Sequence, residues 1–337
     1  GAGLLCLLIV SLVDLGLTHE HGLSGDEPFY VRMATHPGGP HTFPYAYRVV
    51  LPWLVHVVPV GQATAFRCLA WLAIAASGAV LYMLLEHFAV GPRLAAALCV
   101  GFVLSPTLLV ALLRGGRSVD PLSTLAMMLG CLFVVRRARL ALAVTLFVAI
   151  GVKETTVLLV PLAYAVWAAR PFDRAALRDT ALVALAPLVA LLLLRAGVTA
   201  VGSGYTPQYS GSFLHTRWGV LREALSLVEL RRLAYTFGPL WIAAAFALRS
   251  ERFARRGLVL VGCCALSLTV SFDTGRVMFI AAPVVVVAAA LAVRPHRRAA
   301  LALVLTLLAM DAGYAVYMEA YGIHHGLDGG TTRLRVR

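Results

Sequence analysis

The chain has 337 residues, 60% of them hydrophobic and only 13% charged, with a mean hydropathy of +0.85. That composition excludes a water-soluble globular domain and predicts a membrane protein. The formal net charge of +13 does not point to nucleic acid, because the arginines are dispersed between apolar runs, where topology and lipid phosphate account for them.

The apolar runs, taken in chain order, predict about 11 membrane helices by the roughly 20-residue criterion. They lie near 2–17, 62–87, 94–113, 119–135, 139–152, 155–169, 177–199, 233–248, 257–272, 276–293 and 299–319. The expected fold is all-α and polytopic, a single transmembrane domain over 1–337 with short surface-lying helices in its outer loops. The first run has no basic segment before it and many spans after it, so it reads as a helix rather than a signal peptide. The runs 139–152 and 155–169 are short and predict a hairpin with Lys153 and Glu154 at its tip. A stretch at 214–232 repeats Leu214, Trp218, Leu221, Leu225 and Val228 at helical spacing and reads as an interfacial helix. The cysteines at 6, 68, 99, 131, 263 and 264 lie in or beside apolar runs without a CxxC pair, and read as small buried hydrophobes.

Arginine placement sets an expected orientation. Arg93, Arg136, Arg137, Arg139, Arg170, Arg174, Arg178, Arg249, Arg252, Arg255, Arg256, Arg294, Arg297 and Arg298 fall in alternate short loops, read as cytoplasmic. The amino end is then inside and the carboxyl end outside. The outer side holds the loops 18–61 and 200–232, the tail 320–337 and most of the carboxylates.

Several polar groupings interrupt this apolar chain, and each has a structural alternative. Asp26 and Glu27 are adjacent in the first outer loop, with Tyr30 following; they suit a general base with an orienting carboxylate or metal ligand, or an acidic cap on a helix starting near Pro28. Tyr45-Ala46-Tyr47-Arg48 supplies an isolated cation, its tyrosines being expected in the interfacial aromatic belt. Arg114-Gly115-Gly116-Arg117-Ser118-Val119-Asp120-Pro121 places two arginines on the side that usually carries few, although Ser118 or Asp120 can simply cap the next helix. Lys153 is the only lysine and sits beside Glu154, either as a phosphate ligand or as half of a neutralised pair. Asp273-Thr274-Gly275-Arg276 is a tight outer turn whose Arg276 suits two phosphate oxygens, or a local salt bridge. His19 and His21, with Glu27, are the candidate ligands for a divalent cation, and the alternative is a solvated loop. No Walker A loop, Rossmann glycine pattern or GxSxG elbow occurs, so nucleotide-driven chemistry is unsupported.

On these residues the chain resembles the GT-C superfamily of integral-membrane glycosyltransferases. The acidic pair Asp26-Glu27 with Tyr30 and Ala34 is similar to protein mannosyltransferase-like and aminoarabinose-transferase-like members. Tyr47-Arg48 with Leu51-Pro52, then Arg117-Val119-Asp120-Pro121, then Lys153-Glu154, look like the pattern of small bacterial GT-C-like proteins. The resemblance implies a polyprenyl-phosphate sugar as donor, inversion at the sugar carbon, and a glycan, lipid or protein acceptor outside a bacterial cytoplasmic membrane, in the cell envelope. It implies Asp26 as catalytic base and Glu27 as its partner. Lys153, Arg276, Arg117 and Arg48 are the expected donor-phosphate ligands, with Tyr30, Asp120, Glu154 and Asp273 on the substrates. Asp26, close to Glu27 or Asp120, is expected to have a raised pKa. The sequence carries no large soluble carboxyl-terminal domain of the kind several members have, from which a small or lipid-linked acceptor is expected. Two other readings stay open: a transporter or flippase for a lipid-linked anion, and a non-catalytic subunit of a membrane complex. Convergence of Asp26, Asp120, Lys153 and Arg276 on one place favours the enzyme over purely local pairing.

Overall fold

The computed structural model describes residues 1–16, 23, 25–203, 226–269 and 274–321. The described residues are mostly α-helical. Helix α1 (Ala2–Gly16) packs on α4 (Gln62–His87), and between them the chain forms α2 (Glu27–Thr35), strand β1 (His41–Phe43), a 3-10 turn at Tyr45–Tyr47 and α3 (Val50–Val57). The stretch 45–60 thus holds this 3-10 turn and α3. Helices α5 (Pro92–Val103) and α6 (Pro106–Leu113) follow, then α7 (Asp120–Val135), α8 (Arg139–Ile150), a 3-10 turn at Glu154–Leu158, α9 (Leu159–Trp167) and α10 (Arg174–Gly197). After strand β2 (Ala200–Ser203) come α11 (Leu227–Phe237), α12 (Pro239–Ala247), α13 (Arg252–Ser267), α14 (Thr274–Phe279), α15 (Ala282–Val293) and α16 (Arg297–Tyr321).

Proline sets many of these boundaries, because it lacks an N–H and fits the first turn of a helix but not its interior. Pro92, Pro106, Pro121, Pro239 and Pro283 all stand at helix starts. Three expected continuous helices are therefore broken. The 94–113 run bends by 45° between α5 and α6, and the 276–293 run divides into α14 and α15 ahead of Pro283. The 233–248 run likewise divides at Gly238-Pro239, and its first half belongs to α11, whose Ser226 cap accepts from the Glu229 N–H. Residues 214–225 of the expected interfacial helix lie outside the described residues.

Among the described residues three helices are long and apolar enough to cross a membrane: α4, α10 and the 297–317 part of α16. The bent pair α5–α6 is a fourth if it counts as one broken span. At 26 residues, α4 is about 39 Å long, against a hydrocarbon core of about 30 Å. The other apolar helices, α1, α7, α8, Glu154–Trp167 and α15, are shorter, at 10–17 residues, so eleven full-length spans are not established. Leu182, Leu185, Leu188, Leu192 and Leu193 of α10 are exposed, an apolar surface of the kind that meets lipid.

The main core runs through α4, α5, α7 and α15 (Leu81, Leu84, Phe102, Met128, Leu132, Val287). A second cluster (Tyr30, Met33, Leu51, Val55, Phe66, Val119) seats α2 and α3 against α4 and the start of α7. At the arginine-loop end the basic side chains tie helices together. Arg137 and Arg256 donate to the carbonyls of Val166, Trp167 and Ala168 that α9 leaves unpaired at its end, and Arg139 joins α8 to Asp179 of α10 at 2.7 Å. One feature departs from the all-α expectation. Strands β1 and β2 pair in parallel, His41 opposite Ala200, so the two long loops meet at the other end of the molecule.

Candidate functional site

The site is assembled at the end of α7 and α8 away from Arg136–Arg139. Asp120 is the first residue of α7, yet its side chain does not cap that helix. Its Oδ1 accepts from Lys153 Nζ at 2.8 Å, and its Oδ2 accepts from Arg276 Nε at 2.6 Å and from Ser118 Oγ at 2.8 Å. Ser118 Oγ in turn accepts from the Asp120 N–H at 3.2 Å. Asp120 is thus a buried carboxylate held by two cations and a hydroxyl.

Arg276 reaches further. Its Nη2 donates to Asp26 Oδ2 at 3.1 Å, so one guanidinium bridges the first loop and α7. Asp26 stands at the N-cap position of α2 but makes no side-chain cap bond. Its Oδ1 is buried and has no hydrogen-bond partner among the described residues. Burial and the Asp120 charge push the Asp26 carboxyl up, but Arg276 and Arg48 together outweigh them and hold the pKa below the usual aspartate value. The raised pKa expected from its acidic neighbours is therefore not found.

The adjacent residues go elsewhere. Glu27, fully buried at the start of α2, lies between Arg114 at 3.5 Å and Arg117 at 3.7 Å. Glu154 does not neutralise Lys153 but takes Arg48, with Nε–Oε2 at 3.0 Å and Nη2–Oε1 at 2.5 Å. Arg48 also donates to the Tyr30 hydroxyl at 2.9 Å. Burial carries the Tyr30 phenol well above its ordinary pKa, so it stays neutral beside the cation. Tyr45 stacks on Phe29 with centroids 4.4 Å apart and lies under Arg48 at 5.3 Å. Arg195 lies over Tyr47 at 5.5 Å. The two tyrosines read as membrane belt thus pack on arginines.

The turn carrying Arg114 and Arg117 depends on two glycines. Gly115 and Gly116 have φ of +61° and +72°, and a Cβ on Gly116 would lie 2.6 Å from the Phe66 carbonyl oxygen. The turn can therefore press against α4 while its arginines face Glu27. Sequence reasoning chose Arg117 and left out Arg114, although both stood in one run. It also left out Thr107. This residue of α6 lines two small cavities that Arg276 and Asp120 also line, and its hydroxyl has no hydrogen-bond partner among the described residues. Each cavity is about 10 Å³, the room of roughly one water.

Of the expected site residues, His19, His21 and Asp273 lie outside the described residues. Among those described, no three His, Cys, Asp or Glu side chains gather as metal ligands. Glu27 faces the guanidiniums of Arg114 and Arg117.

No family model matches the chain, and no curated protein matches it. The geometry therefore carries the chemical argument alone. Among the described residues the cluster holds five cations (Arg48, Arg114, Arg117, Lys153, Arg276) and four carboxylates (Asp26, Glu27, Asp120, Glu154). So many charged side chains in a largely buried setting are costly to desolvate, which marks the cluster as a candidate site. Within the cluster Asp26 Oδ1, without a hydrogen-bond partner among the described residues, is placed to accept a proton.

Proposed function

We propose that the protein transfers a sugar from a polyprenyl-phosphate donor to an acceptor hydroxyl, as the GT-C resemblance implies. The observation that carries this reading is the convergence of Asp26, Asp120, Lys153 and Arg276, from four segments distant in sequence, into one buried cluster. On this reading the acceptor oxygen bonds to the anomeric carbon from the face opposite the phosphate. The bond from that carbon to the phosphate oxygen breaks, its electron pair leaving with the lipid phosphate, and the hydroxyl proton passes to Asp26 Oδ1. Arg276 and Lys153 stabilise the charge that builds on the departing phosphate. Arg48 and Arg117 supply further positive charge at the edge, and Asp120 positions Lys153 and Arg276. Tyr30 and Glu154 act on the substrates through Arg48. The enzyme belongs, on the same reading, to a bacterial cytoplasmic membrane, multi-pass with its amino end inside, its carboxyl end outside and the cluster facing outward.

The test is transfer from a panel of polyprenyl-phosphate sugars by the protein in proteoliposomes, compared with Asp26→Asn. Transfer by the parent and its loss in the variant are expected. Unchanged transfer in the variant removes Asp26 as the base. The bent pair α5–α6 favours a second reading, a flippase for a lipid-linked anion, since broken helices line transport sites. Movement of the intact donor across the bilayer without loss of its sugar would select that reading.

A further inference from the structure

We infer that Arg276 is an anion-operated latch on Asp26: a phosphate group entering the cluster takes the Arg276 Nη2 donor and so frees the carboxylate. The inference rests on the glycosyl-transfer reading and says how the donor would activate the base.

Three observations carry it. First, the two cavities that Arg276 lines have room for roughly one water each, so a phosphate must displace an existing partner. Second, the partners are unequal. Asp120 is held by Lys153, Ser118 and the 2.6 Å bond from Arg276 Nε, whereas Asp26 receives one 3.1 Å bond, to Oδ2. Of these two links, the one to Asp26 is the one an incoming anion can take while Nε stays on Asp120. Third, Asp26 Oδ1 is already buried without a hydrogen-bond partner among the described residues, so releasing Oδ2 leaves a desolvated carboxylate with less to stabilise its charge.

The groups facing Asp26 set the direction. Arg276 from α14 and Arg48 from the segment before α3 favour its charge, and Asp120 from α7 opposes it. Glu27 and Tyr30 follow in its own helix, and the Arg114 guanidinium lies against Gly25 just before it. A phosphate on Arg276 takes away the Nη2 hydrogen bond and adds an unfavourable charge, so both changes raise the proton affinity of Asp26. Without donor, Asp26 is a weak base clamped by Arg276. With donor, it becomes a stronger base at the moment the acceptor needs one. Arg276 is in this sense a positioning residue for Asp26 as well as a phosphate ligand.

Infrared titration of the full chain in nanodiscs tests this. The Asp26 carboxyl band is assigned as the one missing in Asp26→Asn, and its midpoint is followed alone, with farnesyl phosphate and with inorganic phosphate, binding being checked by calorimetry on the same sample. The expected result is an upward shift of about 1–3 pH units on binding, the size of effect an adjacent opposite charge exerts. In Arg276→Gln the midpoint should start high and respond less than the parent's, and in Arg276→Lys it should lie between. A shift with both probes assigns the trigger to the phosphate alone, and a shift with farnesyl phosphate only assigns it to the lipid headgroup; either supports the latch. Binding of a probe to the parent without any shift overturns the latch and leaves the transfer reading standing. Failure of both probes to bind overturns the donor reading, and the latch with it.

Discussion

Lys153 Nζ donates to Asp120 Oδ1 at 2.8 Å, joining the only lysine of the chain to the first residue of α7 in a buried ion pair. Removing one partner of such a pair leaves an under-compensated charge in an apolar setting. Lys153→Met is expected to destabilise the protein by about 3 kcal/mol, at the low end for a broken buried pair because Arg276 and Ser118 still hold Asp120. Chemical unfolding in detergent reads the loss. Lys153→Arg should not restore the parent, since a planar fork replaces a point charge in a space fitted to the ammonium.

Asp26 and Asp120 share Arg276, yet their substitutions should separate. Asp26→Asn gives up one 3.1 Å contact, so unfolding should change little while transfer falls by about 10²–10⁴-fold, the usual worth of a general base. Asp120→Asn removes the charge that two cations share, so both stability and transfer should fall. Parallel unfolding curves and initial rates check this. Equal stability losses in the two variants would count against Asp26 as a lightly held base.

The lowered pKa of Asp26 fixes a sign for pH dependence. A carboxyl whose folded pKa lies below its unfolded value contributes stability above the unfolded pKa, near 3.9 for aspartate, and loses it as pH falls through the folded value. Thermal unfolding in detergent should therefore show an Asp26-dependent contribution at full strength at neutral pH and fading below about pH 4. Asp26→Asn should flatten that part of the profile by slightly lowering the neutral plateau, and leave the slope of the neutral-to-alkaline side unchanged.

Much of the helix placement was legible in the sequence. The apolar run 62–87 has the same limits as α4. What was not legible depended on partners. The start of α10 lies at Arg174, ahead of the expected 177, because Asp173 Oδ1 accepts the N–H groups of Ala175 and Ala176 and extends the helix into its arginine-rich lead. Strands β1 and β2 are too short to show a period and exist only by pairing across some 160 residues. In the site, charge in an apolar chain singled out Asp26, Glu27, Arg48, Asp120, Lys153 and Arg276, since desolvation makes such residues conspicuous. Their pairing was hidden: each neighbouring couple divides, Asp26 to Arg276 and Glu27 to Arg114 and Arg117, Lys153 to Asp120 and Glu154 to Arg48. Periodicity carries no signal for contacts made across 33 to 250 residues.

The turn before α7 offers a comparison between two glycines. Gly115 and Gly116 both have positive φ, but they differ in what surrounds them. A methyl on Gly115 would meet nothing nearer than Arg117 Nε at 3.8 Å, so Gly115→Ala should cost only the left-handed backbone term, about 1–2 kcal/mol. A methyl on Gly116 would lie 2.6 Å from the Phe66 oxygen and 2.7 Å from Ala70 Cβ, both on α4, where nothing flexible can give way. Gly116→Ala must therefore push the turn off α4 and move Arg114 and Arg117 relative to Glu27. It should destabilise the protein by at least about 1 kcal/mol more than Gly115→Ala, in the range overpacking usually costs. It should also weaken binding of a polyprenyl phosphate, measured by calorimetry, where Gly115→Ala leaves binding close to the parent's. Equal losses in the two variants would mean that α4 does not brace the turn.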